Sequence, residues 1–121
     1  MASNISVISI LNNVAITQNN AVNGSLDLAR YSTEGFFSAQ IEVVGAGNVT
    51  VTWLASNNGT DFITPSGASA LFTAFGASSG EGSDGKSIVS FDPLLCRYLK
   101  LVATEQNAGA ITSIDIWLAI Q

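Results

Sequence analysis

From Phe37 the chain alternates: Phe37, Ala39, Ile41 and Val43 fall on one side of an extended backbone, and Ser38, Gln40 and Glu42 on the other. A period of two marks a half-buried strand. The pattern resumes with Val49, Val51, Trp53 and Ala55 on one face and Thr50 and Thr52 on the other. Between them, residues 45–48 (Gly-Ala-Gly-Asn) supply the positive-φ positions of a tight reversal, so the spacing predicts a β-hairpin within residues 35–62. The last third is equally regular. Residues 88–91 read as a short strand, Asp92-Pro93 as a turn, and residues 97–104 as a strand in which Leu99, Leu101 and Ala103 alternate with Tyr98, Lys100 and Val102. A second hairpin is expected at residues 106–110, leading to a final strand with Ile114, Ile116, Leu118 and Ile120 on one face and Ser113, Asp115, Trp117 and Ala119 on the other.

Other stretches depart from this regularity. Near the start, Ile5 and Val7 lie on one face of a strand and Ile8 and Ile10 on the opposite face. A strand apolar on both faces is either central in a sandwich or covered by something outside the domain. Asn23-Gly24 reads as a turn before a short strand over residues 25–30 with Leu26 and Leu28 inward. Ser56-Asn-Asn-Gly-Thr-Asp-Phe62 reads as another turn. Across residues 64–87 the alternation is lost and Gly, Ala and Ser dominate, interrupted by Leu71, Phe72 and Phe75. Two readings stand for those three: they fold over an open end of their own domain, or they meet a neighbouring subunit. The expected fold is an all-β, jelly-roll-like antiparallel β-sandwich of seven to nine strands, with residues 1–17 an N-terminal strand or intersubunit arm. Residues 18–121 form the sandwich proper, with a long loop at 64–87.

Composition narrows the chemistry. The 121 residues suit one domain, and charged residues are 11% of them against about 25% in an ordinary soluble domain, so the surface must be unusually neutral. No run approaches the ~18 apolar residues of a membrane-spanning helix. The N-terminal stretch lacks a basic start and is expected to be retained. Net charge is −5, and the four basic residues Arg30, Lys86, Arg97 and Lys100 are scattered, which argues against nucleic acid; folding that gathered three of them would more often leave them solvated or paired. Cys96 is the sole cysteine, read as a small buried apolar residue, and histidine is absent. That removes Ser-His-Asp and Cys-His nucleophiles and the usual zinc sites. Asp61, Asp92 and Asp115 remain as acid–base candidates only if folding unites them, and Glu81-Gly-Ser-Asp84 lacks the carboxylates of a calcium loop. No catalytic residue, metal or cofactor is assigned.

The candidate residues are therefore contact residues: Ile5, Val7, Ile8, Ile10, Leu71, Phe72, Phe75 and the outward-facing Trp117. At this point a resemblance enters. Val51-Thr-Trp-Leu-Ala-Ser-Asn-Asn-Gly-Thr-Asp-Phe62, a variable loop, then Phe91-Asp-Pro-Leu-Leu-Cys-Arg-Tyr-Leu-Lys-Leu-Val102 and a return to the C-terminus resembles small β-sandwich virion proteins of tailed bacteriophages. Asn58 stands where that pattern has an acidic residue and Phe62 where it has Trp. The resemblance implies a non-enzymatic protein, made in the bacterial host cytoplasm, that decorates or cements the outer capsid surface, as a homotrimer bound to the major capsid protein. The same phrases are similar to discoidin-like carbohydrate-binding sandwiches. The alternative function is therefore a carbohydrate-binding module on a virion or cell surface, in which Trp53, Trp117, Tyr98 and the asparagines could make an aromatic platform with amide hydrogen bonds to sugar hydroxyls.

Overall fold

The computed structural model describes residues 5–17, 20–31, 35–106 and 112–121. In chain order the strands are β1 (Ser6–Ile16), β2 (Ala21–Asp27), β3 (Phe37–Gly45), β4 (Asn48–Ser56), β5 (Phe72–Gly76), β6 (Lys86–Phe91), β7 (Tyr98–Glu105) and β8 (Thr112–Ile120), with one 3-10 turn at Leu28–Arg30. They form two four-stranded sheets, β1-β8-β3-β6 and β2-β7-β4-β5, in which every pairing is antiparallel. β1 pairs with β8, β2 with β7, β3 with β6 and β4 with β5, the pairing of one long antiparallel ribbon rolled into a sandwich. This is a jelly roll, an antiparallel sandwich whose eight strands fall within the expected seven to nine.

The inner strands of each sheet obey period two most strictly. In β8, Ile114, Ile116 and Leu118 are fully buried, and in β7 Leu99, Leu101 and Ala103 are too. Ile41 of β3 and Val49 and Val51 of β4 complete the contact between the sheets. Each Leu or Ile so buried contributes about 1.5–3 kcal/mol over an exposed one.

The pairing corrects the two expected hairpins. β3 and β4 have the predicted faces but lie in opposite sheets, and so do β7 and β8. Residues 45–47 are thus an arch between layers, and Gly47 is required there because a Cβ would collide with Thr112 Oγ1 and press on Glu105 Oε1. The remainder of the second connection, residues 107–111, lies outside the described residues. Asn23-Gly24 is also not a turn: both residues sit inside β2, where Gly24 lies so close to the Ile10 carbonyl that a Cβ would not fit. The long loop expected at 64–87 contains β5, whose bulge breaks the alternation that would mark a strand. Ala74 adopts φ 47° and the β4–β5 register shifts between Val49 and Val51, so Phe72 and Phe75, three apart, both point inward.

β1 is neither a central strand nor a detached arm. It is an edge strand of the first sheet, paired with β8 and interrupted by register shifts between Ser9 and Leu11 and between Leu11 and Val14. The Asn13 amide in that irregular stretch donates to Asp115 Oδ1 at 2.6 Å, with Asn13 at φ 50°. Through these shifts Ile8, Ile10, Leu11, Val14 and Ile16 all reach the core, leaving Ile5, Val7 and the small Ala15 outside.

Truncating Ile116 to Ala removes side-chain packing at the centre of the core and is expected to cost about 2–5 kcal/mol in guanidinium unfolding. Ile88→Ala, on an outer position 58% exposed, should stay within about 0.5 kcal/mol of wild type.

Candidate docking surfaces

Strand polarity puts residues 28–31 and 35–36 and the connections 57–71 and 92–97, with the start of β1 and the end of β8, at one end of the sandwich. The first of these ends is fixed by the 3-10 turn, where Asp27 Oδ1 accepts from the Ala29 amide. The second is held by Asn58, whose Oδ1 accepts from Ser56 Oγ and from the amides of Thr60 and Asp61. Its Nδ2 donates to Asp61 Oδ2 at 2.9 Å. The third is tied to the second through the Arg97 amide, which donates to Asn57 Oδ1 at 2.9 Å. Ser, Asn and Asp in such turns satisfy the backbone locally, and several apolar side chains on these connections are turned outward.

Those apolar side chains gather here. Ile5, Phe36, Ile63, Leu94 and Leu95 are exposed, Leu95 almost completely at 95%. A groove of about 700 Å³ runs between Leu28, Phe37, Leu94, Leu95 and Arg97, and a second of about 530 Å³ lies against Ile63, Pro65 and Asp61. Asn57, Leu94 and Cys96 line both. Cys96 is itself buried, and desolvation pushes its thiol pKa up, the reverse of an activated nucleophile.

The sequence-predicted contact residues divide. Ile5 and Val7 are exposed, whereas Ile8, Ile10 and Leu71 are half-buried against the core. Phe72 and Phe75 are buried, edge to face at 5.4 Å, so the loop folds its aromatics over its own sheet and they are not available as intersubunit anchors. Trp117 is half-buried on the outer face of the first sheet, flanked by Ser9 and Gln40. Phe36, Ile63, Leu94 and Leu95 were not selected from sequence; the available signal was the apolar pair directly after Asp92-Pro93, where a turn cannot bury both residues.

The other candidate chemistries do not assemble. Trp53 is buried beside Phe91, Trp117 lies on the outer face of the first sheet and Tyr98 on that of the second, so the three do not form a sugar platform. Asp61 belongs to the Asn58 turn, Asp115 holds the β1 bulge and Asp92 is exposed in the β6–β7 connection. Glu81 accepts from Ser87 Oγ, and among the described residues no three carboxylate or thiol groups gather as a metal site would require. Arg97 pairs with Asp27 through two contacts of 3.3 Å and stacks on Tyr98, while Lys100 lies 4.0 Å from the Phe62 ring centroid. These basic groups are engaged within the chain rather than arrayed for phosphate. No protein-family model matches the chain, and no curated protein matches it.

Two expectations follow. The Arg97 hydrogen bonds, helped by the Ala29 amide and the nearby Arg30 charge, hold Asp27 below the ordinary aspartate pKa. A depressed pKa stabilises the fold above the unfolded-state value of about 3.9 and loses that effect as pH falls through the folded value. The stability difference between wild type and Asp27→Asn should therefore be present at neutral pH and shrink below about pH 4 in pH-dependent denaturation. Separately, Cys96 should react with Ellman's reagent far more slowly in the native protein than in denaturant.

Proposed function

We propose that this protein is a non-enzymatic virion structural protein of a tailed bacteriophage that decorates or cements the outer capsid surface. The observation that carries this reading is the loop end. Among the described residues, five of the eight exposed large apolar side chains, Ile5, Phe36, Ile63, Leu94 and Leu95, sit at one end of the sandwich. Apolar clusters of that kind on a soluble domain mark contact surfaces. The side chains stand on turns braced by Asn57, Asn58 and Asp27, so little conformational freedom remains to be lost when a partner covers them.

The partner is the major capsid protein, met on the outside of the shell, since a chain of net charge −5 is repelled by packaged DNA. A clamp that binds assembled subunits in preference to free ones stabilises the shell by mass action. Burial of Leu94, Leu95 and Phe36 supplies the affinity, with Arg97 and Asp61 at the groove margins setting orientation.

Co-sedimentation with empty capsids from the same genome tests this. Wild type is expected to pellet with capsids and to remain bound in about 1 M salt, where the screening length is only ~3 Å. Leu95→Asp and Phe36→Ser should each abolish binding without altering the circular dichroism spectrum. A wild-type protein that stays in the supernatant, or is released by moderate salt, overturns the proposal.

A further inference from the structure

We propose that the N-terminal half of β1 is a self-association edge, and that two copies join by antiparallel pairing of residues 5–9 about a two-fold axis centred on Val7. A sandwich has four sheet edges, and each presents unpaired backbone donors and acceptors unless something blunts it. Three of the four are blunted here. β5 is five residues long and bulged at Ala74. β6 is flanked by connections at both ends: Gly80 abuts the Lys86 carbonyl, and residues 67–71 line a cleft with Val89 and Phe91. β2 lies against the other sheet, with Gly24 on the Ile10 carbonyl, and ends at the Asp27–Arg97 ion pair.

On β1 that same Gly24 contact falls at Ile10. Residues Ser6, Val7, Ile8 and Ser9 keep a regular register with β8 on one side and meet no strand on the other among the described residues. This open edge has no Pro, no bulge and no charge. None of the four basic or nine acidic side chains of the chain falls before Asp27. The occupant that fits is a second copy of the same edge. Two chains of net charge −5 repel almost everywhere else, and here they meet without opposing charges.

Residues directly opposite each other in an antiparallel pair share a face, so a two-fold pair centred on Val7 sets Val7 against Val7 of the other copy and Ile5 against Ser9. Val7, 66% exposed in one chain, then packs against its copy, Ile5, 64% exposed, lies over Ser9 of the other copy, and the two first sheets become one continuous eight-stranded sheet. One surface meeting itself is an isologous contact, which closes as a dimer; a cyclic trimer would need two different complementary surfaces. The dimer goes beyond the decoration role and forms without capsids, so either can fail alone.

Light scattering on the eluting full-length protein tests it. Wild type is expected at twice the chain mass. Val7→Lys and Ser9→Lys, both at exposed positions, should each weaken the dimer at least about tenfold, with circular dichroism unchanged. Ile88→Lys, exposed on the far edge of the same sheet, should leave it intact. Under mild oxidation Val7→Cys should give a disulfide-linked dimer, because opposed Cα atoms at about 4.5–5.5 Å suit a disulfide, whereas Ile88→Cys should not. A monomeric wild type, an assembly larger than a dimer, a dimer that survives both lysine substitutions, or no cross-link through Val7→Cys overturns the proposal.

Discussion

Two apolar sheet faces must cover each other, and most of this molecule is a consequence of that requirement. β8 and β3 in one layer and β7 and β4 in the other bury alternate residues almost completely. A sheet with one apolar face is unstable alone and gains burial only by stacking on a second. Once those four strands occupy the middle of their layers, the irregular strands are left for the edges. β1, with its shifting register, and β5, with its positive-φ residue, are tolerated there because an edge strand needs partners on one side only.

The same requirement explains what was legible in the sequence. Period two states which residues face inward, and it did so correctly for Phe37, Val51, Leu101 and Ile116, and for the opposite orientations of Trp53 and Trp117. It does not state which strand lies alongside. Consecutive strands joined by a glycine turn can pair as a hairpin or arch across to the opposite layer, and both arrangements bury the same faces. The distinction at residues 45–47 rests on Gly47 fitting under Thr112 and Glu105, a contact between residues more than fifty positions apart. Bulges hide strands in the same way, since one inserted residue reverses the parity of everything after it, as at β5.

The docking surfaces were less legible, for a related physical reason. Ile5 and Val7 could be chosen because an apolar residue on the wrong face of a strand breaks a pattern. Phe36, Leu94 and Leu95 lie in connections, where no pattern exists to be broken, and their exposure follows from where the braced turns point them. Phe72 and Phe75 failed as contact residues because the alternation that would have placed them in the core was obscured by Ala74.

Charge placement connects the two surfaces. With so few ionised groups, this chain can keep large regions free of them, and it does so unevenly: the first two strands up to Leu26 carry none, while the third cross-strand row of the first sheet, Asp115–Glu42–Lys86, carries three. On that sheet's outer face the rows nearer the loop end, Val7–Ala119–Ser38–Ser90 and Ser9–Trp117–Gln40–Ile88, are neutral and border the open part of β1. Soluble sheet proteins usually protect an edge with an inward-pointing or edge lysine. Keeping such a residue out of β1 preserves a backbone-to-backbone contact that tolerates net negative charge on both partners. The apolar loop end lies beside that edge, starting at Ile5, and because the pairing is antiparallel a second copy joined through β1 turns its own loop end the opposite way, so each loop end of the pair meets a separate partner surface.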